Sequence, residues 1–293
     1  MAASVLFDAP GPVTRARHRV YTIVSLVAVL GAIAFAVYKL EREGQFEYAL
    51  WEPFLTPDYI RAILVDGVLN TLTMAVFAVT FAVVLGFVLG VGKLSEHAFV
   101  RWPSWMVVEF FRAMPVLLLM IFVFNAFFIN TDRFLWIDKN GGGYIAVIVA
   151  LTLYNGAVLA EVFRAGVNAV PKGQAEAAYA IGMRKSQVMN IVLLPQAVKV
   201  MLPAIVSQMV VALKDTSLGY AVVAPGLTYV GKQVYGEFHN YVPTLFVLAA
   251  LYIALNLILT AIAHLLQRRL VGEKKVLEVA MVGEGDPTAK APR

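Results

Sequence analysis

The sequence contains no cysteine and only four histidines among 293 residues. Without cysteine the chain has no disulfide framework, no thiolate nucleophile and no cysteine-ligated metal site. The histidines are scattered, and no two of them have a spacing typical of paired metal ligands. Charged residues are scarce as well, at 15% of the chain, compared with about 25% in an average soluble domain.

The stretches without charge are long and apolar. Hydrophobic residues make up 60% of the chain, and five runs contain no Asp, Glu, Lys or Arg: 21–38, 67–92, 113–131, 144–160 and 240–263. A helix needs about 20 apolar residues to cross a bilayer, because it rises about 1.5 Å per residue through about 30 Å of hydrocarbon. A soluble globular enzyme is therefore excluded.

A sixth apolar stretch, 199–222, is interrupted only by Lys199 and the pair Lys214-Asp215. We predict an all-α integral membrane protein with six transmembrane helices, at about 20–38, 63–92, 104–130, 144–163, 199–222 and 241–265. With the amino terminus inside, sixteen of the 24 Lys and Arg residues lie in inner segments and six in outer segments. This imbalance predicts that both termini are cytoplasmic.

These spans divide the chain into segments of different character. We predict a cytoplasmic segment 1–19, an extra transmembrane helix 20–38, an acidic extracellular linker 39–61 and a transmembrane domain 62–271 that holds the other five helices. The tail 272–293 is charged and contains Gly and Pro but little to bury, so it is predicted to be disordered. Three consecutive glycines, 141–143, predict a flexible outer turn.

One long polar segment, 164–199, faces the cytoplasm. Pro171 and Gly173 are placed to begin a helix, residues 174–180 are strong helix formers, and Gly182 is suited to end the helix with a positive φ. A short helix is then expected up to a break at Pro195. We predict a helix–turn–helix with exposed alanines along the inner membrane face; an ordinary amphipathic interfacial loop is the alternative.

The loop contains Glu176-Ala177-Ala178, followed by Gly182 and Leu194-Pro195, and this pattern resembles the EAA loop of permease subunits in bacterial ABC importers. Over about 60–270 the chain is similar to the polar-amino-acid branch of that family, with matching stretches at 67–72, 109–115, 160–166, 171–174, 194–197, 202–203 and 213–218. The extra first span, the acidic linker and the tail depart from the usual five-span pattern and look like the version in actinobacterial glutamate importers.

The resemblance implies a permease of the bacterial plasma membrane that imports a polar amino acid, with glutamate favoured, by alternating access. The coupling loop, with Gly173, Glu176, Ala177, Ala178 and Gly182, would contact an ABC ATPase dimer. The implied partners also include a second copy or sister permease, an extracellular solute-binding protein, membrane lipid and the amino acid, but no nucleic acid.

The chain has no Walker A motif, since Gly92-Lys93 is followed by Leu94 rather than Ser or Thr. ATP and Mg are therefore expected on the separate ATPase chain, with no cofactor on this one. No convergent catalytic set is present, which argues against a membrane-embedded enzyme. An ion-coupled secondary transporter is the rival class, but such folds show repeated halves and broken helices at the midplane and have no use for a coupling loop.

Polar residues inside the spans are candidates for the substrate pathway. Lys214 lies about 21 Å from the inner end of its span, and residues 70–73 lie roughly 5–9 Å below the outer surface, so both sets fall at similar depth. The candidate pathway residues are Asn70, Thr71, Thr73, Tyr154, Asn155, Lys214, Asp215, Thr216 and Ser217. The alternatives are a structural Lys214–Asp215 pair and, for 154–155, an interhelical hydrogen bond.

Four further charged residues lie towards the inner half of the third and fourth spans: Glu109, Arg112, Glu161 and Arg164. Two acids and two bases at similar depth most simply neutralise each other. We therefore predict structural ion pairs that hold the helices around an inner gate.

Overall fold

The computed structural model describes residues 11–129 and 139–271, and all regular structure in these ranges is helical. The helices are α1 Pro12–Arg42, α2 Tyr48–Trp51, α3 Pro57–Arg61, α4 Asn70–Lys93, α5 Ala98–Ala113, α6 Val116–Phe127, α7 Lys139–Asn168, α8 Lys172–Ala180, α9 Lys185–Gln187, α10 Leu194–Asp215, α11 Leu227–Phe238 and α12 Tyr241–Val271. The predicted disordered tail 272–293 lies outside the described residues.

Short segments of altered helical geometry connect several of these helices. The 3-10 turns are Glu52–Leu55 and Thr216–Val222, and the π-helical segments are Ala62–Leu69 and Val188–Leu193. Because these segments continue the helical path, α3 joins α4 and α9 joins α10 in two long continuous helices.

Five helical stretches are long and apolar enough to cross a membrane: Val13–Arg42, Pro57–Lys93, Gly141–Asn168, Lys185–Val222 and Tyr241–Leu265. The bent pair α5 and α6 brings the number to six if it is taken as one span. The prediction of an all-α membrane protein with about six spans is confirmed.

The third predicted span is not straight. Residues 104–130 were expected to form one helix, but α5 and α6 meet at an angle of 102°. The break falls at Met114, which has φ −81° and ψ 133°, directly before Pro115. Proline disfavours a helical conformation in the residue that precedes it, so the apolar run continues through the break while the helix does not.

Two local predictions are wrong. The helix was expected to break at Pro195, but Lys185–Val222 is continuous, and the helix changes from π-helical to α-helical geometry directly before this proline instead of ending there. The glycines 141–143 were expected to form a flexible turn, but they belong to α7. A Cβ atom added at Gly143 would lie 2.2 Å from the carbonyl oxygen of Val222, so this glycine serves close packing.

Helix α7 lies at the centre of the fold and packs against α4, α5, α6 and α10. Its most extensive contact is with α4, where glycines allow the two helices to pack closely. A Cβ atom added at Gly86 would lie 2.7 Å from Cβ of Leu159, and one at Gly90 would lie 2.8 Å from Cβ of Phe163. Such small-residue contacts are a common mode of helix association in membranes.

The amino-terminal helix α1 stands apart from this core, and its membrane-length window has no buried residue. Its apolar side chains are exposed on all faces, which is typical of a helix surrounded by lipid. In the segment that follows α1, the carbonyl oxygen of Leu50 accepts a 2.8 Å hydrogen bond from Nδ2 of Asn240. This bond ties the predicted acidic linker to the start of α12.

Candidate coupling and translocation sites

The candidate coupling helix is α8, which begins directly after Pro171 and ends at a glycine turn. Gly182 has φ +83°, a conformation that glycine adopts without steric cost. Its N–H donates to the carbonyl oxygen of Tyr179 at 2.9 Å, and the N–H of Met183 donates to that of Ala178 at 3.1 Å. These bonds satisfy carbonyls at the helix end, as in a Schellman motif.

One face of α8 is free and the other packs on its own chain. Gly173, Glu176 and Ala177 are exposed, and Glu176 forms no ion pair within residues 11–129 and 139–271. The expectation that Ala178 is exposed is wrong, because it is only 5% exposed and lies on the side of α8 that packs against the Val188–Leu193 segment. A docking partner would therefore meet Glu176 and Ala177.

Thr71 belongs to a buried hydroxyl cluster that connects four parts of the chain. Its side chain is fully buried, and its Oγ1 accepts a 2.9 Å hydrogen bond from the N–H of Leu227, at the start of α11. The Tyr252 hydroxyl of α12 lies 3.0 Å from Oγ1 of Thr228 and near the side chains of Thr71 and Thr216. The structure thus places two of the predicted pathway threonines, Thr71 and Thr216, beside one tyrosine.

Thr216 and Thr73 are held by further hydrogen bonds. Thr216 is 3% exposed and donates from Oγ1 to the carbonyl oxygen of Leu213 at 2.6 Å. Thr73 donates to the carbonyl oxygen of Asn70 at 3.0 Å and accepts a 2.8 Å bond from the Tyr144 hydroxyl of α7. Residues 70–73 therefore contact both α7 and α11.

Lys214 and Ser217 line a cavity of about 540 Å³ between α10 and α12, together with Tyr252 and Asn256. Asp215 is half-buried. Lys214 and Asp215 form no ion pair in the part of the chain that the structure describes, where such a pair needs N and O within 4.0 Å. The alternative of a self-satisfied Lys–Asp pair is therefore not observed; Lys214 lines the cavity, whereas Asp215 does not.

Asn155 is 1% exposed and makes an interhelical hydrogen bond. Its Oδ1 accepts from Nε2 of Gln208 in α10 at 2.6 Å, and its Nδ2 donates to the carbonyl oxygen of Leu151 at 2.9 Å. The structural alternative given for Asn155 is thus the one observed. The neighbouring Tyr154 is partly buried against the apolar cluster between α6 and α7.

The four predicted inner charges do form ion pairs, and a fifth residue lies at their centre. Lys93 Nζ contacts Oε1 of Glu109 at 3.1 Å and also binds Oε1 of Glu161. Arg112 Nη1 lies 3.5 Å from Oε1 of Glu109, and Arg164 Nε donates to Oε2 of Glu161 at 2.8 Å. The Lys93 side chain is only 5% exposed. The network joins α4, α5 and α7 at the end of the fold that carries α8.

Sequence reasoning missed Lys93, Gln208, Thr228 and Tyr252. In the sequence, Lys93 is only one of the charged residues in an inner connecting segment, because no local pattern indicates that two carboxylates approach it. Gln208 carried a weak signal, as an amide within an apolar span. Thr228 and Tyr252 had no signal, since a single hydroxyl in an apolar run is common and costs little when it bonds to its own helix.

Comparison with known families places this geometry in context. Residues 82–272 match the family described as "Binding-protein-dependent transport system inner membrane component". The matched region includes the second half of α4 and all of the candidate coupling loop.

Individual relatives extend the similarity beyond that region. The chain is 41% identical over 246 residues to the glutamate transport system permease protein GluD of Corynebacterium glutamicum, which covers 84% of this chain and 89% of the relative. It is 32% identical over 210 residues to the arginine transport system permease protein ArtQ of Bacillus subtilis, covering 71% of this chain and 92% of the relative.

A solved structure shares the fold. The crystal structure of an amino acid ABC transporter with histidines contains a chain that is 26% identical, with a TM-score of 0.65. The similarity covers 74% of this chain and 98% of the solved one.

Proposed function

Because the chain belongs to the family of inner membrane components of binding-protein-dependent transport systems, we propose that it is the permease subunit of an ATP-driven glutamate importer. It is a multi-pass protein of the plasma membrane and a permease of the amino-acid ABC importer class. The substrate, the partner subunits and the residues that take part in transport are what we propose beyond this class.

The observation that carries glutamate as substrate is the extent of the similarity to GluD. That relative is matched over 246 residues at 41% identity, whereas the arginine permease ArtQ and the glutamine permease GlnP of Rickettsia felis are matched over 210 and 209 residues at 32% and 31%. The match to GluD therefore extends further along the chain than the match to either of these relatives, and at higher identity.

The ATPase is a separate subunit, and α8 is the surface that meets it. Glu176 and Ala177 are exposed on α8, so a carboxylate is available to an arginine of the partner and a small residue allows its backbone to approach. ATP and Mg bind to that ATPase dimer, since this chain has no Walker A motif. A second permease and an extracellular binding protein complete the importer.

The orientation follows from charge. Lys185 of the coupling loop binds Glu96, at the α4–α5 connection, so the loop and the Lys93 network share one end of the molecule. The excess of Lys and Arg in the segments at this end assigns it to the cytoplasm, with both termini on the same side.

The substrate pathway lies on the Lys214–Ser217 side of α10. Lys214 and Ser217 line the cavity against α12, and Tyr252 links the same region to Thr71. Ammonium, carboxylate and hydroxyl groups at one depth provide partners for the charged ends of an amino acid. Alternating access moves the substrate past this region while the Lys93 network closes the inner side.

Transport measured in cells tests the substrate and the energy source. We expect uptake of labelled glutamate to persist when the proton gradient is collapsed while ATP remains, and unlabelled glutamate to compete better than glutamine or arginine. Loss of uptake with the gradient would instead assign an ion-coupled secondary transporter. Stronger competition by glutamine or arginine would overturn glutamate as the substrate.

Variants of α8 test the coupling surface. Glu176→Lys and Ala177→Trp should abolish uptake and weaken co-purification of the ATPase, without lowering the amount of folded permease. Glu237→Lys, at an exposed acid of α11, is the matched control and should transport normally. Normal uptake and ATPase association in the α8 variants would rule out this surface.

The role of Asp215 needs its own variant. Asp215→Asn keeps the shape of the side chain and removes the charge, so we expect uptake to be lost while the melting temperature stays unchanged. Asp66→Asn, at an exposed acid of the Ala62–Leu69 segment, is the control. Full uptake by Asp215→Asn would remove Asp215 from the pathway.

A further inference from the structure

A cavity of about 720 Å³ opens at the α8 end of the molecule, beside α5 and the adjoining ends of α4 and α7. Six of its lining residues are charged: Lys93, Arg101, Arg112, Arg164, Glu109 and Glu161. It is distinct from the Lys214–Ser217 cavity, which lies between α10 and α12.

The charges in this cavity do not balance. Both carboxylates are already bound by cations, Glu109 by Lys93 and Arg112 and Glu161 by Lys93 and Arg164. Arg101 pairs with no acid in residues 11–129 and 139–271. Four cations therefore face two carboxylates, and the excess of two positive charges in a partly enclosed space attracts an anion.

Two tryptophans stand at the mouth of the cavity. Trp102 and Trp105 pack edge to face, with ring centroids 5.8 Å apart and an interplanar angle of 75°. They are nevertheless 58% and 46% exposed, and Val108 is the buried residue of α5. Exposed tryptophans are enriched at the level of lipid headgroups, where an amphipathic ring meets both water and hydrocarbon.

We propose that this cavity binds the phosphate group of an anionic phospholipid from the leaflet that borders α8. A phosphate oxyanion provides the charge that the four cations lack, and guanidinium groups bind it through paired N–H donors. Free inorganic phosphate also carries negative charge and the same oxygen acceptors. The lipid is the better occupant because the exposed tryptophans border the same cavity, where they contact its acyl chains and glycerol.

Tryptophan quenching in nanodiscs tests the proposal on the permease purified with its partner subunits. The chain has four tryptophans, so a Trp51→Phe, Trp136→Phe background leaves Trp102 and Trp105 as the reporters of this chain. The same complex with Trp102→Phe and Trp105→Phe added gives the fluorescence of the partner subunits, which is subtracted. We expect phosphatidylglycerol with brominated acyl chains, diluted into phosphatidylcholine, to quench them more than brominated phosphatidylcholine does. Equal quenching by the two lipids would overturn the proposal.

The variant Arg101→Gln tests whether Arg101 is the cation that favours phosphatidylglycerol over phosphatidylcholine. Removing one arginine near a lipid surface is expected to weaken phosphatidylglycerol binding about fivefold, as a shift of the quenching curve. Arg61→Gln, at an exposed arginine of α3, is the control and should leave the curve in place. An equal shift in both variants would show a general surface charge effect and contradict the site.

Inorganic phosphate separates the two sources of the anion. For a lipid site, millimolar phosphate leaves the quenching by phosphatidylglycerol unchanged. Displacement of the lipid by phosphate at that concentration would assign the cavity to a free anion and overturn the lipid as its occupant.

Discussion

Gln208 donates a 2.6 Å hydrogen bond from its side-chain amide to Oδ1 of Asn155, a residue that is 1% exposed. The bond joins α10 to the middle of α7, across 53 residues of sequence. The α7 residues Leu151 and Ala157, which lie near Asn155 in the helix, are fully buried. The Asn155 end of the bond is therefore shielded from water, while Gln208 is partly buried.

A double-mutant cycle measures the coupling between the two amides. Asn155→Leu and Gln208→Leu should each destabilise the protein, and their coupling energy should be about 0.6 kcal/mol, with an upper value near 1.7 kcal/mol, as found for interhelical hydrogen bonds in membranes. The measurement is chemical unfolding in detergent. Asn125→Leu is the control, because Asn125 is exposed and, within residues 11–129 and 139–271, its side chain bonds only to its own helix. Zero coupling would show that the bond contributes nothing to stability.

Removing the cation at the centre of the inner network should be costly. Lys93→Ala leaves Glu109 and Glu161 with one arginine each. Because the Glu109 side chain is 41% exposed and that of Glu161 is 19% exposed, the cost should lie between the roughly 1 kcal/mol of an exposed ion pair and the about 3–5 kcal/mol of a fully buried one. Thermal unfolding of the purified protein measures the loss. Lys172→Ala, at an exposed lysine of α8, should leave the melting temperature unchanged, and an equally small effect of Lys93→Ala would mean that water already screens the network.

The contact between α4 and α7 leaves no room for a Cβ atom at Gly86. Gly86→Ala places a Cβ atom 2.7 Å from that of Leu159, and overpacking of this kind costs about 1–3 kcal/mol. The matched control is Gly236→Ala in α11, where an added Cβ meets nothing within 4 Å. Unfolding in detergent should separate the two variants, and a Gly86→Ala protein as stable as the control would contradict the close packing.

The buried hydroxyl of Thr71 accepts a hydrogen bond from the start of α11. Thr71→Val keeps the shape of the side chain but removes the acceptor of the Leu227 N–H, and an unpaired buried donor costs about 1–3 kcal/mol. Thr80→Val is the control in the same helix, since Thr80 is exposed and bonds only to Val76. Faster hydrogen exchange at the start of α11, measured by mass spectrometry, is expected for Thr71→Val alone.

The sequence predicts those features that depend on a local pattern. Long apolar runs identify the spans because crossing a bilayer needs a set length, and α8 ends where Gly182 supplies a positive φ. The pairing of Glu109, Arg112, Glu161 and Arg164 was also predictable, because charges at one depth in an apolar medium have few other partners.

The features that were missed depend on how separate helices approach each other. Composition is uniform across Pro115, so the apolar run does not reveal that the helix turns by 102° there. The central position of Lys93 exists only because α5 and α7 bring their carboxylates to the end of α4. The hydroxyl cluster depends in the same way on α12, which carries Tyr252 more than thirty residues after Thr216.

The glycine contact also determines how force passes through the molecule. Since glycine backbone of α4 lies against side-chain Cβ atoms of α7 at Gly86 and Gly90, we expect α4 and α7 to move as one rigid pair. Helix α4 has 24 residues and is therefore about 36 Å long, with Lys93 at one end and Thr71 at the other. A displacement of the Lys93 end is therefore expected to reach Thr71 at the opposite end of the helix.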